Sequence, residues 1–334
     1  MKIIKHKQLI GVVVKKEFII SVDLGGTKIL SALLNSKSEI LNRVKVETEI
    51  DKGSEYIVDS ITKAVNEILS SSNIKSSEVK AICLGVPGTV NPDEGMIYNA
   101  PNLNVKNFNI KSALSKYFDI PILIENDVNI AALGIKKFEF KDDVKNMLVV
   151  FVGTGIGAAL IFDGKIYRGS SFFAGEIGHM KVSANGKLTG KKIDSTFETL
   201  ASRTAIVNSI KKEIKKGKKT ILTKLSEGKT KIKSKMLLTA LQKKDKLVTK
   251  HLNNAGVIIG NVLGSVTTLL NIDTIVIGGG VFEAMGDYLL PVVKENFSKS
   301  VLPEPGKDVK IVLTKLGDDA PLFGGLSLAE EFLG

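Results

Sequence analysis

Three glycine-rich turns and a few well-spaced acids carry whatever chemistry this 334-residue chain performs. The turns are Leu24-Gly-Gly-Thr-Lys28, Gly153-Thr-Gly-Ile-Gly157 and Gly278-Gly279-Gly280, each at the end of a run that reads as a strand. Glycines at a strand end let backbone N–H groups approach phosphate oxygens without side-chain obstruction. A single such turn is more often a tight hairpin, but three together, the first with Asp23 just before it, point to anion cradles. The pattern is neither a dinucleotide fingerprint nor a Walker A loop, because no Gly-x-Gly-x-x-Gly joins a strand to a helix ahead of a distant acid. The turn at Gly153 leads into a second strand, which suits a phosphate hairpin.

The acids fit a reaction that moves a proton beside a phosphate. Asp23 ends the first strand, where a carboxylate could orient Mg²⁺ or its waters, or could simply stabilise the turn. Glu125-Asn126-Asp127 follows a buried strand and opens a helix, so it serves either as a cap or as part of a site between lobes. A hydroxyl attacking phosphorus must lose its proton, and a carboxylate within hydrogen-bond reach can accept it. Gly175-Glu-Ile-Gly-His179 sets an acid and an imidazole three positions apart, and Glu198 follows. Acid, amide and imidazole groups supply the directional donors and acceptors that a polyhydroxyl ligand needs, although surface polarity would place them there too.

The elements that hold these groups alternate between strand and helix. Phe18–Asp23, Ile29–Leu34 and Ile40–Val46 read as a three-strand meander, and Ser54–Leu69 as a helix with Ser54 as a candidate cap. Val79–Gly85 is a strand, Asn109–Phe118 a helix, Pro121–Ile124 a short buried strand, and Asn126–Phe138 a helix. Met147–Val152 and Ala158–Phe162 then repeat the strand, glycine turn, strand unit, which implies two related halves. A helix from about Phe197, a lysine-rich helical region, a long helix over Lys246–Leu270, and strands at Thr274–Ile277 and Val309–Thr314 complete the reading.

Composition removes whole classes of function. Hydrophobic residues are 43% and charged residues 25%, the balance of a globular protein with a core large enough to need no staples. The single cysteine, Cys83, cannot form an internal disulfide and reads as a small core residue, in keeping with a reducing cytoplasmic location. The most apolar stretch, Val257–Leu270, is broken by glycines and polar residues and falls short of a membrane span. Leu9–Val14 is too short for a signal-peptide core. The net charge of +12 is local: residues 203–250 hold sixteen lysines and arginines against three acids. With no interleaved aromatics and no helix-turn-helix or zinc-finger spacing, that stretch reads as a solvated helical surface, and nucleic-acid binding is not expected.

The constellation resembles the ROK family of bacterial sugar kinases and repressors, a branch of the actin-like ATPases. The resemblance rests on Asp23-Leu-Gly-Gly-Thr-Lys28, Gly85-Val-Pro-Gly88, Asn99-Ala-Pro-Asn-Leu103, Glu125-Asn-Asp-Val-Asn129, Gly153-Thr-Gly-Ile-Gly157, Ala174-Gly-Glu-Ile-Gly-His179 and Ile277-Gly-Gly-Gly280, in that order from Phe18 onward. It implies an α/β fold of two ribonuclease-H-like lobes with a cleft between them. The small lobe would be residues 1–124 with 321–334, and the large lobe 125–320. It further implies ATP-dependent phosphorylation of a hexose, glucose at O6 in the first instance, with Asp127 as the base. Gly88, Asn102, Asn126, Glu176, His179 and Glu198 would bind the sugar. Asp23, Gly25, Gly26, Thr27, Lys28, Gly153, Thr154 and Gly155 would hold the phosphates, and Gly278, Gly279 and Gly280 would lie near the adenosine. Mg²⁺ would arrive with ATP, and the protein would be a cytoplasmic homodimer or homotetramer.

One departure stands out. The family usually carries three cysteines after its Gly-His-Met, which with the histidine bind structural zinc. Here those positions hold Thr189, Lys191 and Thr196, so zinc is expected to be absent, while Glu198 keeps its sugar-facing position. Two other readings stay open. A regulator of the same family would carry a winged helix-turn-helix ahead of the first strand, for which Met1–Glu17 is too short. A sugar binder without turnover is opposed by the retained Asp127 and both phosphate turns.

Overall fold

The computed structural model describes residues 16–48, 53–141, 143–182, 195–227 and 231–334. The first sheet begins as the meander the alternating hydrophobicity demands: β1 (Phe18–Leu24), β2 (Lys28–Leu34) and β3 (Ile40–Glu47), antiparallel throughout. Helix α1 (Ser54–Ser71) buries Ile57, Ile61, Val65 and Ile68 at helical spacing and returns the chain to β4 (Val79–Val86), parallel to β1. Its cap is Gly53, with no side-chain hydrogen bond, and Ser54 is already helical.

The region after β4 is more ordered than its proline and glycine content predicts. Strands β5 (Thr89–Asn91), β6 (Met96–Ala100) and β7 (Val105–Asn109) form a small antiparallel sheet. The helix expected over Asn109–Phe118 contracts to α2 (Ile110–Leu114): Asn109 caps its start, its side chain accepting from Ser112 N at 2.8 Å, and Ser115 caps its end. Strand β8 (Ile122–Asn126) completes the order β3-β2-β1-β4-β8 and runs straight into α3 (Asp127–Phe140).

The second half repeats the arrangement. Strands β9 (Met147–Val152), β10 (Ile156–Phe162) and β11 (Lys165–Ile166) form the meander. The chain then builds short α4 (Phe197–Ala201), α5 (Arg203–Lys215), α6 (Leu222–Leu225) and α7 (Ser234–Gln242) before the long α8 (Lys246–Leu270), which has the bounds its periodicity indicates. Strand β12 (Thr274–Gly278) pairs parallel with β9. Helices α9 (Gly280–Ser300) and α10 (Pro303–Gly306), absent from the sequence reading, precede β13 (Lys310–Leu313), giving the order β11-β10-β9-β12-β13. Two sheets with matching order and direction are the duplication implied by the repeated strand-turn-strand unit.

A final helix unforeseen in the sequence, α11 (Ala320–Leu333), lies against α3, and the pair packs between the two sheets. Their backbones touch: a Cβ on Gly324 would sit 1.7 Å from Ile130 O, and one on Gly134 would sit 2.2 Å from Ala320 O. Only glycine allows such an approach, and it fixes the height of α3, hence of Asp127 at its first turn. Cys83 is buried in the same layer, where burial pushes its thiol well above the ordinary range, so it is a packing residue. Among the described residues no helix is long and apolar enough to cross a membrane.

Candidate active site

Parallel strands in α/β proteins present ligands at their carboxyl ends, and β1, β4 and β8 end on one row in which Asp23 pairs with Gly85 and Gly85 with Glu125. Gly85 leaves the middle of that row empty. A Cβ there would lie 2.8 Å from Ile130 Cγ2 and 3.6 Å from Asp127 Cα, so its absence lets α3 settle onto the strand ends. Asp127 begins α3 while Asn126 caps it, its Oδ1 accepting from Val128 N at 2.9 Å and Asn129 N at 3.1 Å. The same Asn126 donates from Nδ2 to Gly88 O at 3.0 Å, tying the helix start to the turn after β4. Gly88 has φ +90° and no room for a Cβ, which would meet Asn99 O at 2.3 Å.

The carboxyl of the half-buried Asp127 holds its proton more tightly than an ordinary aspartate. Burial, and then the negative charges of Asp23 and Glu176, push its carboxyl up to about 7, against the hydrogen bond it accepts from Val128 N. Asp23 is itself raised to about 6 by burial and by Asp318, with Lys28 pulling the other way. No cation among the described residues forms an ion pair with Asp127.

Glu125, by contrast, is 1% exposed and fully engaged. Its Oε1 accepts from Asn126 N and Asn129 Nδ2, and its Oε2 accepts from Arg168 Nε at 2.6 Å. Arg168 also reaches Glu331 Oε1 at 3.0 Å and lies over the Phe332 ring. Its carbonyl accepts from Ala174 N, closing the loop that leads to Glu176 and His179. Those two sit 3.7 Å apart, and the His179 side chain is 75% exposed.

The second glycine turn faces this loop. Gly153 N donates to Gly155 O at 2.9 Å, and Glu198 Oε2 accepts from Ile156 N at 2.8 Å. A cleft of about 650 Å³ gathers Asn102, Thr154, Gly155, His179 and Glu198 on its walls, with Lys212 at its edge. At the first turn Gly26 packs against Asn102, whose carbonyl would be 2.8 Å from a Cβ there, so the turn and the small sheet meet. Gly25 N donates to Lys28 O, and Thr48 closes the hairpin through Gly25 O and Thr27 O.

Gly278 ends β12, Gly279 caps α9 with φ +84° and Gly280 opens it. Gly278 lines a second cavity of about 510 Å³ in which Leu238, Leu241, Phe282 and Tyr288 supply apolar surface and Gln242, Glu283 and Asp287 supply polar groups. Lys28 pairs with Asp318 at 2.7 Å, which raises its ammonium, and burial, then Asp318, raises Glu283 on α9.

Five of the sequence-predicted residues thus share one cleft, and Asp127 senses Asp23 and Glu176 beside it. Lys28 is held by Asp318, 290 positions away along the chain. Of the zinc-loop positions, Thr189 and Lys191 lie outside the described residues, as do Met1–Lys15; Thr196 caps α4, its Oγ1 accepting from Thr199 N at 3.3 Å. Two residues escaped the sequence reading: Arg168, and Arg203, whose guanidinium donates to Thr154 Oγ1. Neither belongs to a glycine or acid motif, and their partners lie about forty to fifty positions away along the chain.

Comparison with known proteins gives the same family throughout. The sequence profile of the ROK family matches residues 19–332. A glucokinase of Halalkalibacterium halodurans is 32% identical over 93% of this chain and 94% of its own. A xylose repressor of Caldicellulosiruptor bescii is 24% identical over 93% of this chain and 77% of its own. The crystal structure of a ROK family glucokinase from Streptomyces griseus in complex with glucose and AMPPNP superposes with a TM-score of 0.79 at 27% identity, covering 94% of this chain and 99% of that one. The fold is accordingly that of the actin-like ATPases, two ribonuclease-H-like lobes about a cleft.

Proposed function

The chain belongs to the ROK family, and from that premise we propose that it is an ATP-dependent sugar kinase that phosphorylates a hexose, glucose at O6 in the first instance, with Asp127 as general base. The observation that carries this reading is the state of Asp127: a half-buried carboxyl raised to about 7, with no paired cation among the described residues, at the carboxyl end of β8 and within the electrostatic reach of Asp23 and Glu176. A base of that strength takes a proton from an attacking hydroxyl near neutral pH.

Asn126, Glu176, His179, Glu198, Asn102 and the Gly88 backbone would hold the sugar hydroxyls. The turns at Gly25–Thr27 and Gly153–Gly155 would present backbone N–H groups to the phosphates of Mg-ATP, with Asp23 near the Mg²⁺ that ATP brings. The cavity beside Gly278, with apolar side chains and a few polar groups on its wall, is a fitting place for the adenosine. Closure of the lobes would exclude water, so that the sugar rather than solvent accepts the phosphoryl group.

Release of ADP from Mg-ATP across a panel of hexoses and N-acetylated hexosamines tests the proposal, with Asp127→Asn as control. Sugar-dependent ADP abolished in the variant is the expected result. The kinship with a xylose repressor favours a second reading, sugar binding without turnover. Sugar-induced stabilisation of a folded wild type that releases no ADP would select it.

A further inference from the structure

Helix α5 is stitched to the second glycine turn by three contacts. Arg203 N donates to Gly153 O at 2.9 Å, Thr204 Oγ1 donates to Thr154 O at 2.7 Å, and the Arg203 guanidinium donates to Thr154 Oγ1. The third contact is chemically unusual. A guanidinium is permanently charged and finds its natural partner in a carboxylate or phosphate, whose two oxygens match its fork. Arg43 and Arg168 follow that rule, pairing with Asp319 and with Glu125 and Glu331. Arg203 meets a neutral hydroxyl, and no carboxylate among the described residues pairs with it.

Its surroundings make the unmatched charge more telling. Glu198 is the one acid lining the cleft among the described residues, and the ammonium of Lys28 is already paired with Asp318. A ligand that brings several negative charges to Thr154 needs a cation there. Arg203 is the partly buried cation already bonded to that residue, and its chain neighbours Ser202 and Thr204 line the cleft together with Thr154 and Lys212.

Resting on the sugar-kinase reading, we propose that Arg203 is a further catalytic residue that grips the phosphate tail of Mg-ATP at the Thr154 turn. In the transfer, the sugar oxygen forms its bond to the γ-phosphorus as the bond from that phosphorus to the β–γ bridging oxygen breaks. Asp127 takes the hydroxyl proton, and the bond's electron pair stays on the terminal oxygen of ADP. The Arg203 charge meets that growing negative charge at the second glycine turn, while Thr154 holds the guanidinium in place beforehand.

The test is calorimetric binding of Mg-ATP, Mg-ADP and adenosine to the full chain and to Arg203→Gln and Arg203→Lys, with steady-state kinetics and melting curves on the same samples. Arg203→Gln is expected to weaken Mg-ATP and Mg-ADP about 10-fold, to leave adenosine affinity and the sugar-induced rise in Tm intact, and to lower kcat about 100-fold. Arg203→Lys recovers part of each loss, since it restores the charge without the fork. Unchanged nucleotide affinity and kcat in Arg203→Gln would overturn the assignment. An equal loss for adenosine would overturn it too, because it would mark collapse of the turn. A wild type that binds adenosine but no Mg-ATP would overturn the kinase reading and this assignment together.

Discussion

Arg168 donates from Nε to Glu125 Oε2 across 2.6 Å, and the two residues come from opposite halves of the chain's duplication. Glu125 ends the last strand of the first sheet, and Arg168 follows the last strand of the second meander. The ion pair therefore couples the turn that holds Asp127 to the loop that holds Glu176 and His179, with Glu331 of α11 as a third anchor.

Breaking that coupling should harm catalysis and stability in separable ways. Arg168→Met leaves Glu125 buried without its cation, at a cost of about 3–5 kcal/mol in chemical denaturation, and raises the hexose KM while lowering kcat. Adding Glu125→Gln is expected to recover much of the stability but not the activity, because the loop is still untethered. Full kinetic recovery in the double variant would refute a positioning role.

The rate should follow the ionisation of Asp127. Since the base form is the active one and burial sets its carboxyl at about 7, kcat/KM is expected to climb with pH and level off above that value. Asp23→Asn removes a negative neighbour, so the limb should move to lower pH. Asp127→Asn should lose at least about 10²-fold in kcat at every pH. A pH–rate profile of each variant under low-substrate conditions decides the point.

The same group should cost the fold stability in alkali. Its carboxyl titrates near the ordinary aspartate value of 3.8 when unfolded and near 7 when folded, so between those values the folded state holds the extra proton. Wild type must therefore lose stability relative to Asp127→Asn as pH rises through that window, fully so above 7. Melting curves should show the variant several degrees more stable at pH 8, with the gap closing toward pH 4.

Gly155 offers a steric test of the sugar-facing acid. A Cβ at this position would meet Glu198 Oε2 at 2.3 Å and push the carboxylate off Ile156 N. Gly155→Ala is expected to raise the hexose KM about 10-fold, and Glu198→Gln, which keeps an oxygen for Ile156 N, to raise it less. Equal hexose KM in Gly155→Ala and wild type would rule out Glu198 as a sugar ligand.

Metal analysis of the purified protein should find no stoichiometric zinc, because threonine and lysine stand at the thiolate positions Thr189, Lys191 and Thr196. Activity should likewise survive a zinc chelator when Mg²⁺ is in excess.

Local pattern carried much of this architecture. The period-2 runs around Gly25 and Gly153 specify two hairpins, and α8 announces itself by unbroken helical spacing. The parts that escaped depend on distant partners. Helix α11 reads as a weakly amphipathic run because α3 and both sheets enclose it, and α9 contains Pro291 and a bend at Met285 that obscure its length. The small sheet β5–β7 is built from strands of three to five residues, too short for alternation to register. Asp127 was legible because it sits in a dense motif. Arg168 and Arg203 were not, because an isolated arginine reveals its role only when Glu125 or Thr154 is folded against it.

The glycine crossing of α3 and α11 sets an order of events during synthesis. The ribosome makes Asp127 long before residues 320–333, so a nascent chain carrying every proposed catalytic side chain still lacks the wedge that holds α3 at its working height. Until that last segment emerges and docks, Asp127 lacks the packing that sets its height, and a chain stopped short of residue 320 is expected to show none of the proposed phosphoryl transfer.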